Sequence, residues 1–321
     1  MNPIWQRIKE YTSVMQNLAE AKRRRTIKDW LIATRPWSFT TSSVPVLVTV
    51  AYLFYLWHTE PGCESFDWLN AALCLPLLMI MHAGGNLVSD YFDNVRGIDG
   101  EDCVNGVTWI RSGLFAPQEI FAYGLALIAV GACIGMVLLC RSSLAAAWIG
   151  VLALFLPVFY YFFKSHVLGD VDILLCFAIL PGVGTCFVST GNYHAEMLLY
   201  CLPFGLHIVA ILHANNTRDI DNDRRAGLDT VSGKVGFAAS QWIYLAEMLL
   251  PYVLVAAYCL LCGLSWWLML TYLSLPVAVK NLQLMMGGDK VGIRTLDQST
   301  AQFQFLFGVL YAFGFVIGGI F

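Results

Sequence analysis

Two short stretches of this 321-residue chain repeat one arrangement of oxygen donors. The first is Asn86-x3-Asp90-x2-Asp93, within HAGGNLVSDYFDNVRG. The second is Asn215-x3-Asp219-x3-Asp223, within HANNTRDIDND. Steps of three and four place each set on one helical face, whereas Asp221 points elsewhere. Asn86 to Asn215 is 129 positions, as is Asp90 to Asp219, so the chain presents two similar faces. Carboxylates gathered on one face repel unless a cation lies between them. A donor set made wholly of oxygen suits Mg²⁺, which keeps waters and takes substrate phosphates as further ligands. The pattern predicts metal ligation by Asn86, Asp90 and Asp93 and by Asn215, Asp219 and Asp223, with the ions bridging a diphosphate. Ordinary helix-end charges are the alternative for either motif alone, and two matched motifs argue against it.

Basic side chains beside the motifs fit an anionic ligand. Arg96, Lys164, Arg218 and Arg224 or Arg225 are candidates to neutralise phosphate oxygens. Arg35, in the RPW that opens the first apolar segment, is a further candidate for the same cavity. In YYFFKSHVLGD, Tyr160 and Lys164 are four residues apart and share a face. They read either as an aromatic wall with a phosphate-binding lysine or as interfacial aromatics with a snorkelling one. His82 and His213 precede the two motifs. Metal ligand or base is one role for them, and a hydrogen-bonded polar group inside a bundle is the commoner one. The isolated Cys259-x2-Cys262 lies in an apolar run without the second pair a zinc site needs and reads as small hydrophobic packing.

These residues need elements to hold them. Hydrophobic residues make up 58% of the chain and charged ones 13%, against about a quarter charged in soluble domains. Apolar runs of roughly 20 residues recur, each long enough to span a bilayer. Nine spans are expected, at about 38–57, 69–92, 118–140, 143–163, 169–190, 195–219, 240–262, 264–284 and 300–320. Residues 1–30 are polar and basic with no apolar signal-peptide core, and are expected to form a retained cytoplasmic segment. Residues 31–321 then form one transmembrane domain. With this layout 18 of the 19 Lys and Arg residues fall on one side, with Arg141 alone on the other. The positive-inside rule makes that side cytoplasmic. Both motifs lie there, at the ends of spans. The net charge of −3 gives no ground for a nucleic-acid partner, and no motif points to a protein partner beyond the lipid bilayer itself.

The motifs, with TRPWSFTTSSVPVL, RSGL, YYFFKSHVLGD and NNTRDIDNDRRAGLDT, resemble the UbiA superfamily of intramembrane aromatic prenyltransferases. Within it the likeness runs toward the 1,4-dihydroxy-2-naphthoate polyprenyltransferases of menaquinone biosynthesis. The resemblance implies an all-α bundle of nine transmembrane helices around a central cavity in a cytoplasmic (inner) membrane. It implies Mg²⁺-dependent ionisation of a polyprenyl diphosphate and attack of the allylic cation on an electron-rich aromatic acceptor, with loss of CO₂ when the acceptor is the naphthoate. It implies that Asn86, Asp90 and Asp93 and Asn215, Asp219 and Asp223 form the metal-diphosphate sites, with Asp90, Asp219 and Lys164 as the catalytic residues and Lys164 and Arg218 as phosphate contacts; Arg96, Tyr160 and Arg35 are substrate-contact candidates on their positions alone. Two places depart from the family pattern. GLDT puts Asp229 where a basic residue is usual, and NGVTWI replaces a Pro/Arg-rich stretch; both bear on the acceptor. An acceptor such as 4-hydroxybenzoate is the alternative within the enzyme reading. Outside it, an ion-coupled transporter would usually place its site near the midplane at broken helices rather than at span ends. A CDP-alcohol phosphotransferase would need a DG-x2-AR pattern that is absent.

Overall fold

The computed structural model describes residues 25–60, 66–96, 108–158, 162–163, 165–225, 227–287 and 292–321, and these are helical with no strand among them. Seven helices are long and apolar enough to cross a membrane: Pro36–Thr59, Trp68–Val95, Pro117–Arg141, Gly169–Thr190, Met197–Arg218, Phe237–Leu261 and Leu296–Ile320. Each lies on an expected span, which makes the chain a multi-pass membrane protein. The other two expected spans are interrupted, so nine full-length helices are not what the described residues contain. The fourth is a 3₁₀ turn, Leu144–Ala146, followed by the short helix Ala147–Val158. The eighth opens as nine residues of 3₁₀ helix, Trp266–Ser274, and only then becomes α-helical over Leu275–Met286. Hydropathy reports a run of apolar residues but not the helix type that the run adopts.

The long elements are numbered here in chain order as α1 (Ile27–Ala33), α2 (Phe39–Thr59), α3 (Trp68–Arg96), α4 (Pro117–Arg141), α5 (Ala147–Val158), α6 (Gly169–Thr190), α7 (Leu202–Arg218), α8 (Phe237–Leu261), α9 (Leu275–Met286) and α10 (Leu296–Ile320). They divide into two compact units. One holds the chain up to Trp37 together with Ile80–Ala132, and the other holds Ser38–Met79 and Cys133–Phe321.

In the first unit, Thr26 opens α1 with a capping box. The Asp29 N–H donates to its hydroxyl at 3.4 Å and the Thr26 N–H donates to the Asp29 carboxylate at 2.8 Å. Ala33, Leu87, Ile110, Leu114, Phe115 and Ile120 form a small core. The Trp30 ring meets Phe115 and Tyr123 edge-on, at 4.6 and 5.0 Å. Arg25 lies over Phe115 and pairs with Glu119 at 2.6 Å, so the chain from Arg25 onward is tied into this unit. The motif-bearing half of α3 approaches α4 closely because Gly84 has no side chain. A Cβ there would stand 2.7 Å from Ile128 Cγ1 and 2.9 Å from the Gly124 carbonyl oxygen.

In the second unit, Phe303, Phe307, Tyr311 and Phe315 recur every four residues along α10 and are fully buried. His207 of α7 lies edge-on to Phe303 and Phe307 at 4.7 and 4.5 Å. Three buried tyrosines bring their hydroxyls to partners, whereas the buried Tyr311 hydroxyl has none among the described residues. Tyr244 meets Thr300 at 2.6 Å, Tyr252 meets Ser274 at 2.7 Å and Tyr258 donates to the Leu199 carbonyl at 2.8 Å. Arg141, the basic residue expected alone on its side, donates to Asn70 and Asp67, each at 2.7 Å. The Asn70 backbone N–H and then Arg141 hold the Asp67 carboxyl below the usual carboxylate range. Midway along α6 the chain becomes π-helical over Leu175–Ile179, with the Leu180 N–H donating to the Leu175 carbonyl. Pro181 follows and has no N–H to return to the preceding turn, which is where a helix readily widens.

The glycine contact is testable by its neighbour. Gly84→Ala should destabilise the chain by about 1–3 kcal/mol through overpacking. Gly85→Ala, where a Cβ would meet nothing within 4 Å, should be neutral or gain up to about 1 kcal/mol from helix propensity. Thermal unfolding of both variants in detergent checks the ordering, and equal melting temperatures would remove the close approach as a constraint.

Candidate active site

The first motif occupies the last turns of α3. Asp90 is almost fully buried and Arg35 donates to its Oδ1. Arg35 can do so because the chain turns sharply after α1, where Arg35 itself takes a left-handed conformation with φ of 56°. Bulky residues rarely adopt that region, and such strain concentrates at functional sites. Asn86 donates to the Thr34 carbonyl at 3.4 Å, which satisfies an acceptor at the end of α1. Ser89 donates to Asp93 at 3.4 Å one turn on. Thus Asn86, Asp90 and Arg35 form one connected cluster, with Asp93 half-buried beside it. His82 is a turn away on the same helix. Arg96 closes α3, and its side chain lies outside the described residues.

The second motif is not carried on one uninterrupted helix, as its spacing predicts. α7 ends at Arg218, Asp219 leaves α-helical geometry at φ −97° and ψ 13°, and a short helix, Ile220–Arg225, follows. Backbone bonds bridge the break: the Asp219 N–H donates to the Asn215 carbonyl at 3.0 Å and the Asp223 N–H to the Asp219 carbonyl at 2.9 Å. Asn215 and Asp219 are half-buried, Asp223 is buried and Asp221 is exposed, as its position in the repeat predicts.

Arg218 organises this motif. Its Nε and Nη2 hold the two Asp219 oxygens at 3.0 and 2.7 Å in a fork, and Nη2 also donates to the Asn215 side-chain oxygen. Its Nη1 reaches the Arg294 carbonyl at 3.2 Å and Asp297 at 3.1 Å in the first turn of α10. In this structure the Arg218 guanidinium is therefore held by the motif and by the start of α10, and that of Arg35 by Asp90. Asp297 was not legible as a site residue, because a lone acid in the first turn of a helix reads as dipole compensation. Asp229, the departure in GLDT, is exposed and pairs with Lys234 at 2.7 Å. Arg224 and Arg225 are exposed; they donate to the Gly233 carbonyl and to Asn222. Tyr160 and Lys164 lie outside the described residues.

The donors of both motifs are amide and carboxylate oxygens, the hard set that Mg²⁺ takes. Each central carboxylate already has a guanidinium beside it, so a metal ion there would share its ligands with an arginine. Among the described residues, the group of three His, Cys, Asp or Glu side chains close enough to share one ion lies elsewhere, at Asp170, His213 and Glu247.

Comparison with known proteins places the chain by family and fold. The UbiA prenyltransferase family matches residues 46–307. The UbiA prenyltransferase domain-containing protein 1 homolog of Drosophila melanogaster is 32% identical over 89% of this chain and 78% of its own length. The human UbiA prenyltransferase domain-containing protein 1 is 29% identical over 94% of this chain and 87% of its own. Among solved structures, the apo form of a UbiA homolog from Aeropyrum pernix K1 shares the fold with a TM-score of 0.65 at 16% identity, covering 87% of this chain and 97% of its own. A UbiA homolog from Archaeoglobus fulgidus bound to GPP and Mg²⁺ matches at 0.52 and 12% identity, over 90% of this chain and 99% of its own. The similarity expected toward dihydroxynaphthoate polyprenyltransferases is found instead toward domain-containing-protein-1 relatives, whose name specifies no acceptor.

The two arginines differ in depth, which gives a ranking. Arg218→Met leaves Asp219 and Asp297 without their buried donor and should cost about 3–5 kcal/mol. Arg35 is about a third exposed at its side chain, so Arg35→Met should cost clearly less. Unfolding of the purified variants in mixed micelles measures both, and equal losses would contradict the assigned roles.

Proposed function

The chain belongs to the UbiA prenyltransferase family, and from that premise we propose that it transfers a polyprenyl group from a polyprenyl diphosphate to an aromatic acceptor, with the Asn/Asp motifs binding metal and diphosphate. The observation that carries this reading is the pairing of two like motifs, each with its central aspartate held by an arginine. Mg²⁺, held by Asn86, Asp90 and Asp93 and by Asn215, Asp219 and Asp223, would offset the charge that grows on the departing diphosphate. The chain's own residues do the rest. Arg35 and Arg218 hold the Asp90 and Asp219 side chains in place. Arg96 and Lys164, by their sequence positions, supply phosphate contacts, and Tyr160 supplies an aromatic wall. As the allylic C–O bond breaks, the carbon bonds to the acceptor ring, and the ring gives up a proton, or CO₂ where a carboxyl occupies that carbon.

The motif ends of the helices face the cytoplasm in this reading, which the one-sided distribution of Lys and Arg supports. The acceptor is 1,4-dihydroxy-2-naphthoate, which would place the enzyme in menaquinone biosynthesis. An electron-rich diol is a good trap for an allylic cation. Exposed Arg224 and Arg225 beside Asp223 would lower the barrier to an anionic aromatic acid. Asp229 does not oppose it, since Lys234 neutralises that carboxylate.

Asp90→Asn and Asp219→Asn should each lower Mg²⁺-dependent transfer by roughly 10²–10³-fold while the protein stays folded by circular dichroism. If one diphosphate engages both motifs, the double variant loses little beyond either single one. Multiplicative losses would separate the motifs, and unchanged turnover in a single variant would remove it from the site. For the acceptor, purified protein is given one prenyl diphosphate, Mg²⁺ and an equimolar mixture of 1,4-dihydroxy-2-naphthoate, 1,4-dihydroxynaphthalene, 4-hydroxybenzoate and homogentisate. Mass spectrometry should find the prenylated, decarboxylated naphthoate as the main product. Consumption of another acceptor with the naphthoate untouched would refute this acceptor and leave the transferase standing.

A further inference from the structure

Beyond the Asn/Asp motifs, three helices of the second unit bring ionisable side chains together in its interior. Asp170 stands in the first turn of α6, His213 on the inner face of α7 and Glu247 in α8. His213 Nδ1 lies 3.8 Å from Asp170 Oδ2 and 3.7 Å from Glu247 Oε1. One potential ligand atom from each residue falls within 4.8 Å of the other two. His213 has no solvent exposure, and neither of its ring nitrogens has a hydrogen-bond partner; the buried Glu247 Oε2 has none either.

This is an unusual way to bury polar groups. An interior imidazole normally spends at least one nitrogen on a hydrogen bond, and each buried polar group without one costs about 1–3 kcal/mol. His207, one helix face away, follows that rule through the Met248 carbonyl. At 3.7 and 3.8 Å the His213 contacts are too long for hydrogen bonds. They are close to the separation of two ligands around one ion, which is roughly 3.4 Å in a tetrahedral site with bonds of about 2.1 Å. The donor set decides the class of ion. Imidazole with carboxylate suits zinc and its borderline first-row neighbours, while Mg²⁺ prefers oxygen alone.

We propose that Asp170, His213 and Glu247 form a separate site for a zinc-class divalent cation that ties α6, α7 and α8 together. The site is independent of the transfer reaction and distinct from the oxygen-only motifs. Its ligands come from three helices, so an ion there cross-links them two residues ahead of Asn215.

The test uses full-length protein without a polyhistidine tag, stripped with chelator in detergent and then held in excess Mg²⁺. Co²⁺ is the probe, because its ligand-field absorption reports nitrogen and oxygen ligation directly. The expected result is one Co²⁺ per chain, displaced by Zn²⁺ and not by Mg²⁺. Glu247→Gln and Asp170→Asn should each weaken Co²⁺ binding by more than the roughly 10–100-fold that loss of an outer-sphere partner costs. Asp219→Asn should keep the absorption. Asp170 is partly exposed, so its variant gives the answer even where Glu247→Gln does not fold, as judged by circular dichroism. A wild-type chain that binds no Co²⁺, an Asp170→Asn chain with unchanged affinity, or loss of the absorption in Asp219→Asn would each overturn the proposal.

Discussion

A carboxylate near membrane depth must meet a cation or give up its charge, because desolvation costs several kcal/mol per ion. In this chain two guanidinium groups meet that demand. Arg35 pairs with Asp90 in the first unit, and Arg218 holds Asp219, Asn215 and Asp297 in the second. Much of the local architecture follows from these pairs. The left-handed turn at Arg35, the Asn86 bond to the end of α1 and the anchoring of α10 to α7 all serve to deliver a guanidinium to a buried acid. Arginine suits this task better than lysine, since its planar fork can bind a carboxylate with two donors and still reach a third acceptor.

The pairs also shape how an anionic substrate and its metal can be received. Arg35 and Arg218 offset part of the negative charge of the motifs, but with Asp93, Asp223 and Asp297 the acids still outnumber these two guanidinium groups. In the proposed reaction the carboxylate oxygens would hold the metal ion, and an arginine released from its carboxylate would then be available to phosphate. Two carboxylates cannot offer this exchange by themselves.

The architecture was largely legible because hydropathy is a long-range, averaged signal. All seven long helices fall on segments whose composition marks them, and the alternation of polar and apolar positions placed Asp221 outside the second motif. The features that escaped are local. The 3₁₀ opening at Trp266 and the π turn before Pro181 arise from backbone accommodations that an apolar run does not encode. The break at Asp219 escaped for a related reason: a repeat of four fits one helix or two short ones joined by bridging bonds. Arg35 and Arg218 read as phosphate contacts in the sequence and hold aspartates in the structure, because a basic residue near acids fits a phosphate ligand or a partner for the acids equally well. Asp297 lies far along the chain from Arg218, and His213 with Asp170 and Glu247 sits on three helices, so only folding reveals those neighbours.

The π turn in α6 has a further meaning. An α-helix advances about 100° per residue, and a π turn accommodates one residue more than the surrounding helix would use over the same rise. The side chains beyond Ile179 therefore stand out of phase with those before Leu175, by the width of one residue. One continuous rod thus has two orientations: its opening turn directs Asp170 inward to α7 and α8, while its far half sets Thr185 and Ser189 in the buried layer.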